Sequence, residues 1–221
     1  MRLALKIILP LLASGALFAD SARPEILDRI RDYDMRHSDL LVKIVRDPET
    51  LRYAKVRALE KISVIYRQSK AEAEMVAPRY FEGITAGLAH KSPDVREAAC
   101  AAGIVFKDSQ IAPFLVPALA KTLKEENHPL VIYACAHSLS VYTKEQESAI
   151  IVPALLAKVD KYLTEFNDDA DNEKALREVC HALGVMKARR SFIPLLKVLQ
   201  SRYDEDVKEV AQESIQAIRV H

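Results

Sequence analysis

The chain has no tryptophan, only five glycines and only three cysteines among its 221 residues. It also lacks long runs of one charge, because 32 Lys and Arg residues are interleaved with 31 Asp and Glu residues. Nucleic-acid-binding proteins gather basic residues on one face or in one segment. The charge balance therefore gives no indication of a nucleic-acid partner, and the scarcity of glycine favours long helices joined by short turns.

The motifs that mark common active sites are missing as well. The chain contains no glycine-rich phosphate loop, no Gly-x-Ser-x-Gly, no His-Glu-x-x-His and no Cys-x-x-Cys. His37, His90 and His128 lie near predicted turns, with no nucleophile in a recognisable local motif. We therefore predict that the protein is not an enzyme and needs no cofactor.

The first residues have the features of an export signal. Arg2 and Lys6 form a short basic region, and the apolar run 7–18 has the length of a signal-peptide core. This run is too short for a membrane-spanning helix, which takes about 20 apolar residues. We predict cleavage after Ala19, which would leave a periplasmic or secreted protein without an integral membrane span. The alternative is an uncleaved, membrane-tethered form.

The three cysteines, Cys100, Cys135 and Cys180, all fall within predicted helices. An oxidising compartment tends to pair cysteines, and an odd number leaves at least one of them free. We interpret all three as small buried hydrophobic residues and expect no disulfide framework.

A pattern of apolar and small residues recurs along the chain. An apolar residue, often followed by a basic one, precedes small residues four and seven positions later and apolar residues eight and eleven positions later. These offsets fall on one helical face, so each copy predicts a helix whose small residues let a neighbouring helix approach closely. In the first copy, Lys55 stands where a small residue is expected. The five copies begin at Leu51, Val95, Val131, Ala175 and Val207.

A second apolar stretch precedes each of these helices, and each pair predicts one helical hairpin. Pro117, Pro153 and Pro194 lie in three of the stretches, and we place them in first turns, where amides lack intrahelical partners. We assign residues 1–19 to the signal peptide, 20–36 to a lead-in helix and 37–221 to the repeat array. The predicted first helices cover 40–45, 80–88, 114–123, 152–163 and 192–199.

The second helices resemble those of HEAT repeats, which typically carry an Asp, then Val-Arg, then Ala and Ala-Leu-Gly at these offsets. The best matches lie at 94–103 and 182–184, and the similarity covers roughly residues 37–219. Ile132 and Leu176 stand where the family has a basic residue, which interrupts an Asp–Arg ladder between repeats. The resemblance implies an all-α, right-handed α-solenoid of about five HEAT-like hairpins, with a concave second-helix face that generally binds proteins.

The solvent-facing side of the second helices is the predicted binding surface. Offsets 2 and 6 lie opposite the buried stripe when each residue turns the helix by 100°. Tyr133 precedes His137 by one turn, and Arg177 precedes His181 by one turn on the next second helix, so we expect these four to cluster. A protein is the predicted partner. The predicted groove comprises Tyr53, Arg57, Tyr133, His137, Arg177 and His181.

Two other kinds of function remain open at this point. The protein could be a structural subunit of a cell-envelope assembly that uses the apolar edges of the array. It could instead bind a metal, because His137, His181 and Glu213 lie in one row and have side chains that suit transition metals. The segment 167–173 with Glu178 also follows part of the spacing of a calcium loop. A solvated turn with helix-capping residues is the competing interpretation of that segment.

Overall fold

A computed structural model describes residues 24–219 of the chain. This part is helical and contains no strand, which confirms the predicted all-α class. The α-helices are Pro24–Asp32 (α1), Ser38–Arg46 (α2), Arg52–Gln68 (α3), Lys70–Ala73 (α4), Ala77–Leu88 (α5), Pro93–Gly103 (α6), Ala112–Glu125 (α7), Pro129–Ser140 (α8), Glu145–Thr164 (α9), Ala170–Val185 (α10), Phe192–Leu199 (α11) and Glu205–Arg219 (α12). Short 3₁₀ turns lie at Met35–His37, Glu74–Val76, Ile104–Phe106 and Arg189–Ser191.

The predicted signal peptide, residues 1–19, lies outside the described residues. The predicted lead-in helix, residues 20–36, corresponds in the described part to α1 and the start of the first 3₁₀ turn. Among residues 24–219, no helix combines the length and the apolar character needed to cross a membrane.

Two sets of helices alternate along the chain and pack side by side. The first-helix set is α2, α5, α7, α9 and α11, and the second-helix set is α3, α6, α8, α10 and α12. Within each set every helix contacts the next member, and each first helix also contacts the second helix that follows it. The short α1 packs against α3 and so continues the second-helix set at its N-terminal end.

The buried face of the second helices follows the predicted offsets. Val95, Val131, Ala175 and Val207, which begin four of the five copies, are fully buried. Leu51, which begins the first copy, is half-buried and lies immediately before α3. Hydrophobic periodicity therefore identified the buried face of four second helices correctly.

Small residues let neighbouring second helices approach closely, as the pattern predicts. A Cβ built on Gly184 of α10 would lie 2.6 Å from Ser214 Oγ and 2.9 Å from Ser214 Cα in α12. At the α6–α8 contact, a Cβ on Gly103 would lie 2.7 Å from Ser138 Oγ. Both serines stand at the seventh offset of the repeat pattern, and the hydroxyl of Ser214 donates to the carbonyl of Cys180 at 2.8 Å. The smallest side chains thus lie where two helix backbones come nearest.

We predict that Gly184→Ala destabilises the protein by about 1–3 kcal/mol, because the new methyl group would collide with the backbone of α12. The higher helix propensity of alanine offsets at most about 1 kcal/mol of this cost. Urea unfolding followed by circular dichroism measures the change. Gly83→Ala is the matched control, because its nearest new contact is the side-chain atom Val42 Cγ2 at 3.3 Å. Equal effects of the two substitutions would contradict the close approach of α10 and α12.

The expectation that all three cysteines are unpaired is wrong. Cys100 of α6 and Cys135 of α8 form a disulfide across the contact between two second helices, with a Cα–Cα distance of 4.8 Å. Cys180 is a free, fully buried thiol, and burial raises its pKa to about 12. The pairing depends on how closely α6 approaches α8, which the positions of the cysteines in the sequence do not reveal.

The disulfide predicts the thiol count of the protein. Without reductant, the denatured chain should expose one reactive thiol and the native chain none, because Cys180 is buried. After reduction the denatured chain should expose three, and the melting temperature should fall. Closing a loop across a separation of 35 residues corresponds to about 4 kcal/mol in the chain-entropy model. Cys180→Ala is the control and should leave no thiol before reduction, whereas three thiols in unreduced, denatured wild-type protein would disprove the pairing.

Two prolines lie deeper in their helices than we expected. α7 begins at Ala112 and α9 at Glu145, so Pro117 and Pro153 lie inside these helices and not in their first turns. Proline removes an intrahelical hydrogen bond at such a position. Both prolines are exposed, as are the residues four positions earlier, so water can hydrate the carbonyls that lose a partner. Pro194 lies in the first turn of α11, as predicted.

A partly buried ion pair joins α6 to the turn between α7 and α8. Arg96 donates from Nε to Glu126 Oε2 at 2.6 Å and from Nη2 to Oε1 at 3.0 Å. Glu126 also accepts the amides of Asn127 and His128, each at 2.9 Å. Burial alone would raise the pKa of Glu126, but the hydrogen bonds from Arg96 and the two amides lower it overall.

Lys158 of α9 also contacts the turn between α7 and α8. Its side chain is 2% exposed, and its ammonium donates to the backbone carbonyl of Glu126. Burial, and to a lesser extent the neighbouring positive charge of Lys161, lower the pKa of Lys158 to about 8. Side chains from α6 and α9 thus meet at the turn between α7 and α8.

The lowered pKa of Lys158 predicts how stability changes with pH. Because the folded protein holds this proton less tightly than the unfolded chain, stability should rise as pH increases from about 8 towards 10.5. Relative to Lys158→Met, the unfolding free energy of the wild type should rise by up to about 3 kcal/mol over this window. Tyrosines titrate in both proteins, so the difference in unfolding free energy between the wild type and Lys158→Met reports the titration of Lys158. A difference that does not change with pH would show that Lys158 is not desolvated.

Candidate functional site

The six residues of the predicted groove are all accessible to solvent on the second helices. The side chains of Arg57, His137 and His181 are exposed, whereas Tyr133 and Arg177 are half-buried. Tyr53 is 44% exposed. The face opposite the buried stripe therefore carries these side chains, as the offsets predict.

The second-helix surface has a depression of about 370 Å³ where α8, α10 and α12 meet. Three of the six predicted residues line it, and a fourth, His137, borders it through a contact with Glu178. We call this depression the α8–α12 site. Its lining residues are Tyr133 from α8, Lys174, Arg177, Glu178 and His181 from α10, and Val210 from α12.

Tyr133 forms one wall of the α8–α12 site and contacts two neighbouring side chains. Its ring lies parallel to the imidazole of His137, with an interplanar angle of 5° and a centroid distance of 6.0 Å. Lys174 Nζ lies 4.6 Å from the centre of the Tyr133 ring, which is the geometry of a cation–π contact. Since this ammonium forms no ion pair within residues 24–219, the ring positions a cation at the edge of the depression without neutralising it.

One hydrogen bond and one ion pair hold the three helices of the α8–α12 site together. His137 Nδ1 lies 2.9 Å from Glu178 Oε1 and joins α8 to α10. An ionised carboxylate can only accept, so Nδ1 carries the proton in this contact. Arg177 Nη1 donates to Asp206 Oδ2 at 3.1 Å and joins α10 to α12. The Glu178 side chain is only 13% exposed, so the first pair is better shielded from water than a typical surface ion pair.

The two positions without a basic residue in the Asp–Arg pattern lie in α8 and α10. Ile132 and Leu176 are buried and cannot form ion pairs. Between α3 and α6, Arg52 pairs with Asp94 at 3.5 Å, near the N-terminal ends of these helices. Between α8 and α10, the contact of His137 with Glu178 lies on the solvent-facing side of the helices instead.

Tyr53 and Arg57 do not lie in the α8–α12 site. Both belong to α3, and α6 separates α3 from α8 in the second-helix set. The Tyr53 hydroxyl accepts from Arg52 Nη2 at 2.9 Å, and Arg57 pairs with Glu60 at 2.7 Å. Arg57 also lines a trough of about 500 Å³ between α1 and α3, beside Leu27 and other residues. The six predicted residues therefore form two separate groups.

The predicted groove does not include three residues of the α8–α12 site. Lys174, Glu178 and Val210 stand at offsets outside the two that we used to define the groove. The helical spacing held a usable signal, because residues 174, 178 and 181 lie three or four positions apart and share one side of α10. Val210 enters the site from α12, and its contribution depends on how two helices pack.

The transition-metal hypothesis gains no geometric support. Among residues 24–219, no group of three or more His, Cys, Asp and Glu side chains is arranged to hold a metal ion. His137 contacts Glu178. His181 and Glu213 are exposed on two neighbouring helices.

The segment 167–173 adopts the competing structure, an inter-helix turn. α10 begins at Ala170, so the last four residues of the segment are helical and not part of a long loop. Asp169 caps the helix by accepting the amide of Asp171 at 3.0 Å. Glu178, the last residue of the calcium spacing, lies in α10 and contacts His137.

Comparison with known proteins adds no family assignment. No protein-family model matches the chain, and no curated protein sequence matches it.

Proposed function

We propose that the protein is an exported, non-catalytic HEAT-like scaffold that binds another protein through its second helices. In this proposal, the five pairs of first and second helices are the hairpins of a right-handed α-solenoid. The contacts between consecutive helices of each set support it, as does the recurring pattern of apolar and small residues. A solenoid of this kind presents an extended surface that suits a protein partner.

The α8–α12 site is the observation on which the binding proposal depends. It combines an aromatic ring, two permanent cations and a histidine in one depression between three helices. Tyrosine and arginine are among the residues that contribute most to binding in protein interfaces. The His137–Glu178 hydrogen bond and the Arg177–Asp206 ion pair hold the helices of the site together before a partner arrives, which lowers the entropic cost of binding.

The disulfide supports the proposed export. Disulfides persist mainly in oxidising compartments such as the bacterial periplasm and the extracellular space. The bond between Cys100 and Cys135 joins two helices in the middle of the array. It is independent of the signal-like pattern in residues 1–19, and both features point to the same compartment.

Site-specific photo-crosslinking in the source cells tests the binding proposal. A photoreactive amino acid at His181 should give a defined adduct with a partner protein, and one at the exposed residue Lys124 of α7 should not. Tyr133→Ala and Arg177→Ala should each reduce the adduct by roughly 5- to 30-fold, as expected for central interface residues.

Arg46→Ala is the matched control for Arg177→Ala. Arg46 also pairs with an acidic residue on a neighbouring helix, Glu82 at 2.8 Å, but it lies in the first-helix set. This control should leave the adduct unchanged, and all variants should keep the wild-type melting temperature within a few degrees. Equal adducts in wild type, Tyr133→Ala and Arg177→Ala would rule out the α8–α12 site as the binding surface.

Exposed apolar side chains on the first-helix set support a second candidate function, a structural subunit of an envelope assembly. Phe114 of α7 is 65% exposed, and its ring centre lies 6.3 Å from that of the half-buried Phe81 of α5. Apolar side chains that lie together at the surface can mark interaction sites. A photoreactive residue at position 114 that gives the main adduct, with none from position 181, would favour this function.

A further inference from the structure

We propose that the α8–α12 site binds an acidic peptide segment, with Lys174, Arg177 and His181 as the groups that bind its carboxylates. This inference rests on the proposed function and names the chemistry of the partner. It follows from the hydrogen-bonding capacity of the site, from its shape and from its apolar walls.

The site has more available donors than acceptors. The ammonium of Lys174 has three N–H groups, lies over the Tyr133 ring and forms no hydrogen bond or ion pair within residues 24–219, and Arg177 has five N–H groups, of which one binds Asp206. His181 is exposed and makes no hydrogen bond within the described residues. Glu178 is the only carboxylate that lines the depression, and one of its oxygens already contacts His137. A ligand that supplies acceptors and negative charge therefore complements the site.

The donors form a row along α10 and do not surround a single point. Lys174 and His181 are seven residues apart, which corresponds to about 10 Å along a helix axis, and Arg177 lies between them. In an extended peptide, side chains on the same face recur every two residues, about 7 Å apart. Two carboxylates at alternate positions of an extended segment match the length of this row better than one isolated carboxylate does.

The walls of the site suit the methylene groups of acidic side chains. Tyr133 lies on the α8 side and Val210 on the α12 side, and both are half-buried. Glutamate can place its aliphatic part between such walls while its carboxylate reaches the donors of α10. Two acidic residues beside the donors are already engaged, since Asp206 pairs with Arg177 and Glu178 contacts His137, while Glu97 of α6 interacts with Lys174 only at longer range.

Peptide titration tests this inference on the purified mature chain. The probes are three capped hexapeptides with the repeats Glu-Ala, Gln-Ala and Lys-Ala. Binding of each peptide is measured at low salt from changes in the amide chemical shifts of the protein. The Glu-Ala peptide should shift the amides of residues 174–181 and of Tyr133, and 0.5 M salt should weaken the effect. The Gln-Ala and Lys-Ala peptides should leave these amides unchanged.

Matched lysine variants complete the experiment. Lys174→Gln should weaken binding of the Glu-Ala peptide by about fivefold, which is the usual scale of one surface charge pair. Lys121→Gln, an exposed lysine of α7 in the first-helix set, should leave it unchanged. Equal binding of the Glu-Ala and Gln-Ala peptides, or shifts that map away from α10, would overturn the inference.

A failure of the acidic-peptide inference can be distinguished from a failure of the proposed function. A crosslinked partner at His181 without binding of the Glu-Ala peptide would mean that the surface binds a protein by other chemistry. Binding of the Glu-Ala peptide without any crosslinked partner would support the acidic-ligand inference and contradict the scaffold proposal.

Discussion

The close approach of neighbouring second helices is the constraint on which the other features depend. Where α10 meets α12, Gly184 and Ser214 leave no room for one additional methyl group, and Gly103 and Ser138 do the same between α6 and α8. At this separation a disulfide can join α6 to α8, and His137 and Arg177 can each reach a carboxylate on the next second helix on the solvent-facing side. Larger side chains at these glycines would push the helices apart and lengthen each of these contacts.

The first-helix set is packed differently. Its buried positions carry large side chains such as Tyr80, Leu119 and Leu155, whereas Ala, Cys and Ser occupy many buried positions of the second helices. Helices separated by large side chains pack at greater distances than helices separated by small ones. This difference between the two sets supports the proposed curvature, in which the second helices lie on the concave side. In that proposed arrangement, a partner at the α8–α12 site would contact several second helices at once.

The sequence predicted the helical class and the buried face of the second helices because both depend on local periodicity. It predicted the accessibility of Tyr133, His137, Arg177 and His181 for the same reason. It could not predict the disulfide, since whether Cys100 reaches Cys135 depends on the separation of two helices and not on spacing along the chain. α9 begins about two turns before the predicted start and α7 begins two residues before it, because proline is most common in the first turn of a helix and so indicates a later start. Hydration of exposed backbone allows it to lie inside a helix.

The disulfide and the α8–α12 site are connected through α8. Cys135 lies two residues after Tyr133 and two residues before His137, so the residue that attaches α8 to α6 lies between the two aromatic residues that α8 contributes. On its other side, α8 is held to α10 by the contact of His137 with Glu178. A helix fixed from both sides keeps its outward side chains in one arrangement, and binding then costs less conformational entropy. The covalent link therefore acts on the proposed binding surface as well as on stability, although neither cysteine lines the site.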